Sequence, residues 1–162
     1  MTEGAFRVPA ERAYTDLLGR AVYNFAYLEW AVIYTVETLS PGYLAKYTGA
    51  SRPIPSGQVA TSFREQVSAH LDLPAQLRSH LDACASRFTK LVDDRNRLVH
   101  AHPYTAEGGV QQLGYQGRLP PALWPLSDLE ATAYEFDSAA CEMNSAFHQL
   151  REALALAGQK GS

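Results

Sequence analysis

From Leu129 to Leu154 an apolar residue returns every three or four positions: Leu129, Ala133, Phe136, Ala140, Met143, Phe147, Leu150 and Leu154. Only a helix puts that spacing on one face, and a helix with one apolar stripe must bury it against another element. The rest of the chain supplies three more stripes. Leu18, Val22, Phe25, Glu29, Val32 and Val36 predict a long first helix over about Pro9 to Leu39. Pro9 suits a first helical turn, and Pro41-Gly42 stops the run. Val59, Phe63 and Val67 predict a second helix from about Ser56 to Leu71. Leu77, Leu81, Cys84, Phe88, Leu91, Arg95 and Leu98 predict a third, from Asp72 or Pro74 to about Ala101. Pro103 disfavours helix at His102 and so ends it. Ser127-Asp128-Leu129-Glu130 reads as a capping box opening the fourth, with the Ser127 hydroxyl meeting an orphan amide and Glu130 reaching back.

These stripes predict an all-α fold: an antiparallel four-helix bundle with a long first helix. Residues Tyr43 to Pro55 are expected to be a loop, broken by Gly49, Pro53 and Pro55. Pro103 to Pro125 is expected to be irregular. Within it, Tyr104-Thr105 and Val110 to Leu113 flank Glu107-Gly108-Gly109 in the manner of a short hairpin. Tyr23, Tyr27, Trp30 and Tyr34 flank the first stripe, where they either widen the core or form an interface.

With 162 residues the chain has the length of one domain, expected over 1–157, with Gly158-Gln159-Lys160-Gly161-Ser162 as a disordered tail. A chain of this size buries roughly two-thirds of its unfolded surface and needs no metal or disulfide staple. Cys84 and Cys141 form no C-x-x-C pair, which points to a reducing, cytoplasmic setting. Both lie on or beside stripes and read as small buried hydrophobes. Met1 to Arg7 lacks the apolar run of a signal peptide. The longest apolar stretch, Ala21 to Val36, is interrupted by Asn24 and Glu29, which argues against a membrane span. The net charge of −3 excludes a basic nucleic-acid coat but permits an enzyme with one local basic cleft. No His/Cys cluster and no H-E-x-x-H appears, so neither a metal nor a cofactor is expected.

Polar density peaks in Asp93-Asp94-Arg95-Asn96-Arg97-Leu98-Val99-His100-Ala101-His102. Asn96 and His100 share a helical face, while Arg95 falls on the apolar stripe, ~140° around from His100. An arginine on a core stripe needs a carboxylate or phosphate. Glu29, on the stripe of the first helix, is the expected partner if the two helices pack side by side, through a bidentate contact. Arg97 reads as a cation complementing the helix dipole. Imidazole is the side chain that ordinarily titrates near neutrality, which makes His100 the evident acid–base group, with His102 beside it.

The run Arg95-Asn96-x-x-x-His100, at the end of the third of four helices, resembles the HEPN family (higher eukaryotes and prokaryotes nucleotide-binding). The long first helix with Tyr27-Leu28-Glu29-Trp30 is similar to members in which an acidic residue faces the motif. The resemblance implies a metal-independent endoribonuclease of toxin or antiphage type, completed by a homodimer and held in check by an antitoxin protein. It implies RNA or a nucleotide as the ligand, with no DNA and no membrane. His100 would be the general acid–base for attack of the ribose 2′-hydroxyl, Arg95 would stabilise the phosphate charge, and Asn96 would position the helix end. Glu29, His102 and Tyr104 would support them. Some members carry, two residues after the histidine, a tyrosine that is modified with AMP; here His102 stands there and Tyr104 comes two residues later. Other members have lost catalysis and serve as nucleotide-binding or protein-interaction modules.

Overall fold

The computed structural model describes residues 11–160. The expected helix start at Pro9, the Met1 to Arg7 segment and the last two residues of the expected tail lie outside them. The described elements are α1 (Arg12–Leu39), α2 (Tyr43–Thr48), α3 (Ser56–Ala69), α4 (Ala75–Val99), β1 (His102–Thr105), β2 (Gln111–Tyr115), β3 (Ala122–Trp124) and α5 (Leu126–Lys160). The protein is therefore mostly helical with a small sheet, rather than all-α. α5 continues through Gly158, into the stretch expected to be a tail.

α1 packs most extensively on α5 and also on α3, while α4 packs on α3 and α5. Phe25 sits at the centre, stacked on Phe88 of α4 with ring centroids 5.9 Å apart and edge-on to Phe136 of α5 at 5.3 Å. Around it Leu28, Ile33, Phe63, Leu81, Leu129, Met143 and Leu150 are fully buried. Each such side chain contributes ~1.5–3 kcal/mol of transfer free energy. The α1 stripe is rotated from the expected one. Ala21, Phe25, Leu28, Val32 and Val36 are buried, whereas Val22 is 47% exposed.

The helix directions differ from a wholly antiparallel arrangement. Tyr14 meets Trp124, Asn24 meets Ala133 and Phe25 meets Phe136, so α1 and α5 run the same way. Arg87 meets Glu135 and Glu142 while His80 meets Glu142, so α4 runs against α5. The two long links, each carrying structure of its own, remove the short-loop constraint that would force neighbouring helices to alternate.

The expected Tyr43 to Pro55 loop contains the short helix α2. Gly42, at φ 97°, turns the chain after α1 in a conformation that favours glycine. The Glu37 carboxylate accepts the amides of Gly42 (3.1 Å) and Leu44 (2.7 Å), fixing the entry to α2. Those amides, Leu44 first, hold the Glu37 carboxyl below its ordinary value.

The three strands form one antiparallel sheet in the order β1-β2-β3. His102 pairs with Gly114 and Thr105 with Gln111, which is the expected hairpin with longer arms; β3 is an addition, Leu113 pairing with Trp124. Gly108 and Gly109, at φ 84° and 83°, make the reversal between β1 and β2. The buried Tyr14 hydroxyl ties the sheet to α1. It donates to the Trp124 carbonyl at 2.7 Å and accepts the Leu113 amide at 2.9 Å. Burial pushes its pKa up, against the lowering effect of the Leu113 amide.

The expected capping box at Ser127 does not form. α5 starts at Leu126, and the amides of Asp128 and Leu129 both reach the Pro125 carbonyl at 3.0 Å. The buried Trp124 anchors β3 directly before Pro125, so the helix opens there, and the Ser127 hydroxyl bonds the Asp128 carboxylate instead. Cys84 is buried as expected, whereas Cys141 is exposed. No helix among the described residues is long and apolar enough to cross a membrane.

Candidate functional site

α4 ends at Val99, earlier than Ala101. His100 is the capping residue, its amide bonded to the Asn96 carbonyl at 3.2 Å, and the Ala101 amide bonds Leu98 at 3.3 Å. Two forces end the helix here. Pro103 excludes helical backbone at His102, and pairing with Gly114 gives His102 extended partners instead. β1 is an edge strand, where a proline costs no ladder bond.

Arg95 and Asn96 are half-buried on the last turns of α4, and His100 is exposed. Arg95 Nη1 donates to Asn96 Oδ1 at 3.1 Å, so Asn96 contacts Arg95 through its side chain and His100 through its backbone. The guanidinium carbon of Arg95 lies 5.6 Å from the centroid of the Phe25 ring. Arg97 is paired with Asp94, a local contact that leaves it out of the site.

The expected Arg95–Glu29 ion pair is absent among the described residues. α1 and α4 are not close neighbours but meet through large core side chains such as Phe25 and Phe88. Arg95 registers against Phe25, one turn and ~6 Å along α1 from Glu29. Glu29 is half-buried and still acts on the same surroundings. Burial raises the Tyr47 pKa, the Glu29 charge raises it further, and the Arg95 charge opposes that. Tyr47, from α2, therefore joins the neighbourhood; its ring packs edge-on to Trp30 at 5.7 Å. The repeat of Tyr43 and Tyr47 four residues apart was the available sign of a helical turn in that segment.

His102 and Tyr104 are both exposed, two residues apart on β1, and so share one face of the sheet. With Gly114, Tyr115, Pro121 and Leu123 they line a groove of about 400 Å³. Tyr23, Tyr27, Trp30 and Tyr34 are 40–70% exposed, so they do not widen the core.

The arrangement offers an arginine without a carboxylate partner among the described residues and an exposed imidazole one turn later. A guanidinium can hold an oxyanion and an imidazole can move a proton. Among the described residues, the side chains able to share a metal ion lie elsewhere: His80 and Cys84 on α4 with Glu142 on α5. The sequence, where no metal-ligand set is expected, shows only the His-x-x-x-Cys spacing of the first two. No protein-family model, curated protein or solved structure matches the chain.

Proposed function

We propose that this protein is a HEPN-type, metal-independent endoribonuclease whose site is completed by a second copy of the chain. In this reading α1, α3, α4 and α5 are the four helices of the family's bundle, and α2 and the sheet are additions. The observation that carries it is Arg95, with no carboxylate partner among the described residues, five positions before the exposed His100, with Asn96 bonded to Arg95 by its side chain and to the His100 amide by its carbonyl. His100 would take the proton of a ribose 2′-hydroxyl, whose oxygen attacks the adjacent phosphorus. The bond to the 5′-oxygen breaks, a proton from the second copy's His100 meets that oxygen, and a 2′,3′-cyclic phosphate remains. Arg95 would stabilise the negative charge on the phosphoryl oxygens. The exposed aromatic row on α1 supports an association of copies, since Tyr and Trp are enriched at interfaces. Control by an antitoxin protein and a cytoplasmic setting belong to the same reading.

Incubation of RNA with purified protein in EDTA tests it. Cleavage to cyclic-phosphate ends is expected, lost in His100→Ala and in Arg95→Ala. An inactive wild type, with both substitutions unfolding the protein, would make the constellation structural. The net charge of −3, which counts against tight binding of long nucleic acid, leaves open one second reading, a non-catalytic nucleotide-binding or protein-interaction module. Calorimetry with mono- and dinucleotides separates the two: binding without cleavage selects the second.

A further inference from the structure

We propose that His80, Cys84 and Glu142 form a binding site for one divalent transition-metal ion of the zinc class, clamping α4 to α5. The site is independent of the ribonuclease reading, since His80 lies fifteen residues, or ~22 Å, along α4 from Arg95.

His80 and Cys84 are four apart, so both project from one face of α4, and Glu142 comes to them from α5. One donor atom from each lies within 4.8 Å of the other two, and His80 Nε2 is 3.8 Å from Glu142 Oε1. Donors around a tetrahedral ion bound at ~2.0–2.3 Å stand ~3.3–3.6 Å apart. Small side-chain rotations close that difference. Imidazole, thiolate and carboxylate together are a donor set that suits zinc, with a water completing the fourth position.

The surroundings of the cluster fit such an ion. Arg87 donates to Glu142 Oε2 at 2.6 Å and to Glu135 Oε1 at 3.0 Å, which leaves Glu142 Oε1 facing His80. Hydrogen bonds of this kind to the far oxygen orient a ligating carboxylate. The charges also balance. Cys84 thiolate, Glu142 and Glu135 would bring three negative charges, and the ion and Arg87 three positive. Cys84 gives its thiol proton to water on binding, as metal–thiolate bonds require. Cys84 is buried, while His80 and Glu142 are partly exposed and leave a way in from solvent. On its outer side His80 borders an open groove with Pro74, Gln76, Leu77 and Gln149.

The test is titration of chelator-stripped, full-length protein with Co²⁺ alone, in a Cys141→Ser background so that every thiolate signal comes from Cys84. One equivalent is expected to give a near-ultraviolet thiolate-to-cobalt band with visible bands of a tetrahedral ion, all displaced by Zn²⁺. Cys84→Ser should abolish the near-ultraviolet band. His80→Ala and Glu142→Gln, at partly exposed positions that leave the core intact, should each weaken Co²⁺ binding by about tenfold or more. Absence of the band at excess Co²⁺, its persistence in Cys84→Ser, or unchanged affinity in both His80→Ala and Glu142→Gln would each overturn the assignment.

Discussion

The guanidinium carbon of Arg95 lies 5.6 Å from the centroid of the Phe25 ring, and no carboxylate neutralises it among the described residues. Phe25 is itself clamped between Phe88 and Phe136, so the cation rests on a rigid platform. A cation over an aromatic face contributes ~0.5–1 kcal/mol where it keeps contact with water. Arg95→Ala is therefore expected to lower stability by about that amount. Loss of one charge-stabilising donor in a reacting site costs ~10²–10³ in rate, so RNA cleavage should fall far more than stability. Thermal melts and cleavage rates measured on the same preparations decide it. A large stability loss with unchanged cleavage would make Arg95 a core residue only.

His100 gives a cleaner separation because its side chain is exposed and lies outside the core. His100→Ala should leave stability within ~0.5 kcal/mol of the wild type. Removing a general acid–base group costs ~10²–10⁴ in rate. His102→Ala, at an exposed strand position, is expected to have a smaller effect on cleavage. Equal losses in the two variants would mean that the imidazoles act together.

Much of this molecule was legible in its sequence because helical periodicity is a local signal. The stripes around Phe63, Phe88 and Phe136 mark the buried faces of α3, α4 and α5, and Gly108-Gly109 marks the reversal between β1 and β2. What the periodicity could not carry was the placement of one helix against another. Glu29 and Arg95 each sit on a stripe, yet pairing them required α1 and α4 to be close neighbours, which depends on the crossovers rather than on either helix. β3 escaped notice because Ala122-Leu123-Trp124 is too short to show alternation. Its pairing with β2 is supported by the hydroxyl of Tyr14, more than a hundred residues away in sequence. Nor could the spacing of His80 and Cys84 announce a third ligand, since Glu142 reaches them only through the packing of α4 on α5.

Tyr14 is the joint between the helices and the sheet. Tyr14→Phe keeps the ring but leaves the Leu113 amide and the Trp124 carbonyl without their hydroxyl partner. An unsatisfied buried group costs ~1–3 kcal/mol, and the variant is expected to lose stability in that range. Hydrogen exchange supplies the local check. The Leu113 amide should exchange faster than in the wild type, while amides in the middle of α5 keep their relative protection. An unchanged Leu113 amide would show that the sheet does not depend on this joint.

Glu37 carries a pH dependence whose sign follows from its hydrogen bonds. The Leu44 and Gly42 amides favour the carboxylate, so its folded pKa lies below the unfolded one. A group lowered in this way stabilises the fold above the unfolded value and loses that contribution as pH falls through the folded value. Glu37→Gln should therefore melt below the wild type at neutral pH, because its amide accepts those two bonds less strongly. The gap should begin to close below about 4.3, the ordinary glutamate value, and vanish once the wild-type carboxyl is protonated. Paired melting curves across that window test it. A gap that stays constant through acidification would mean that the carboxylate charge is not what holds the turn between α1 and α2.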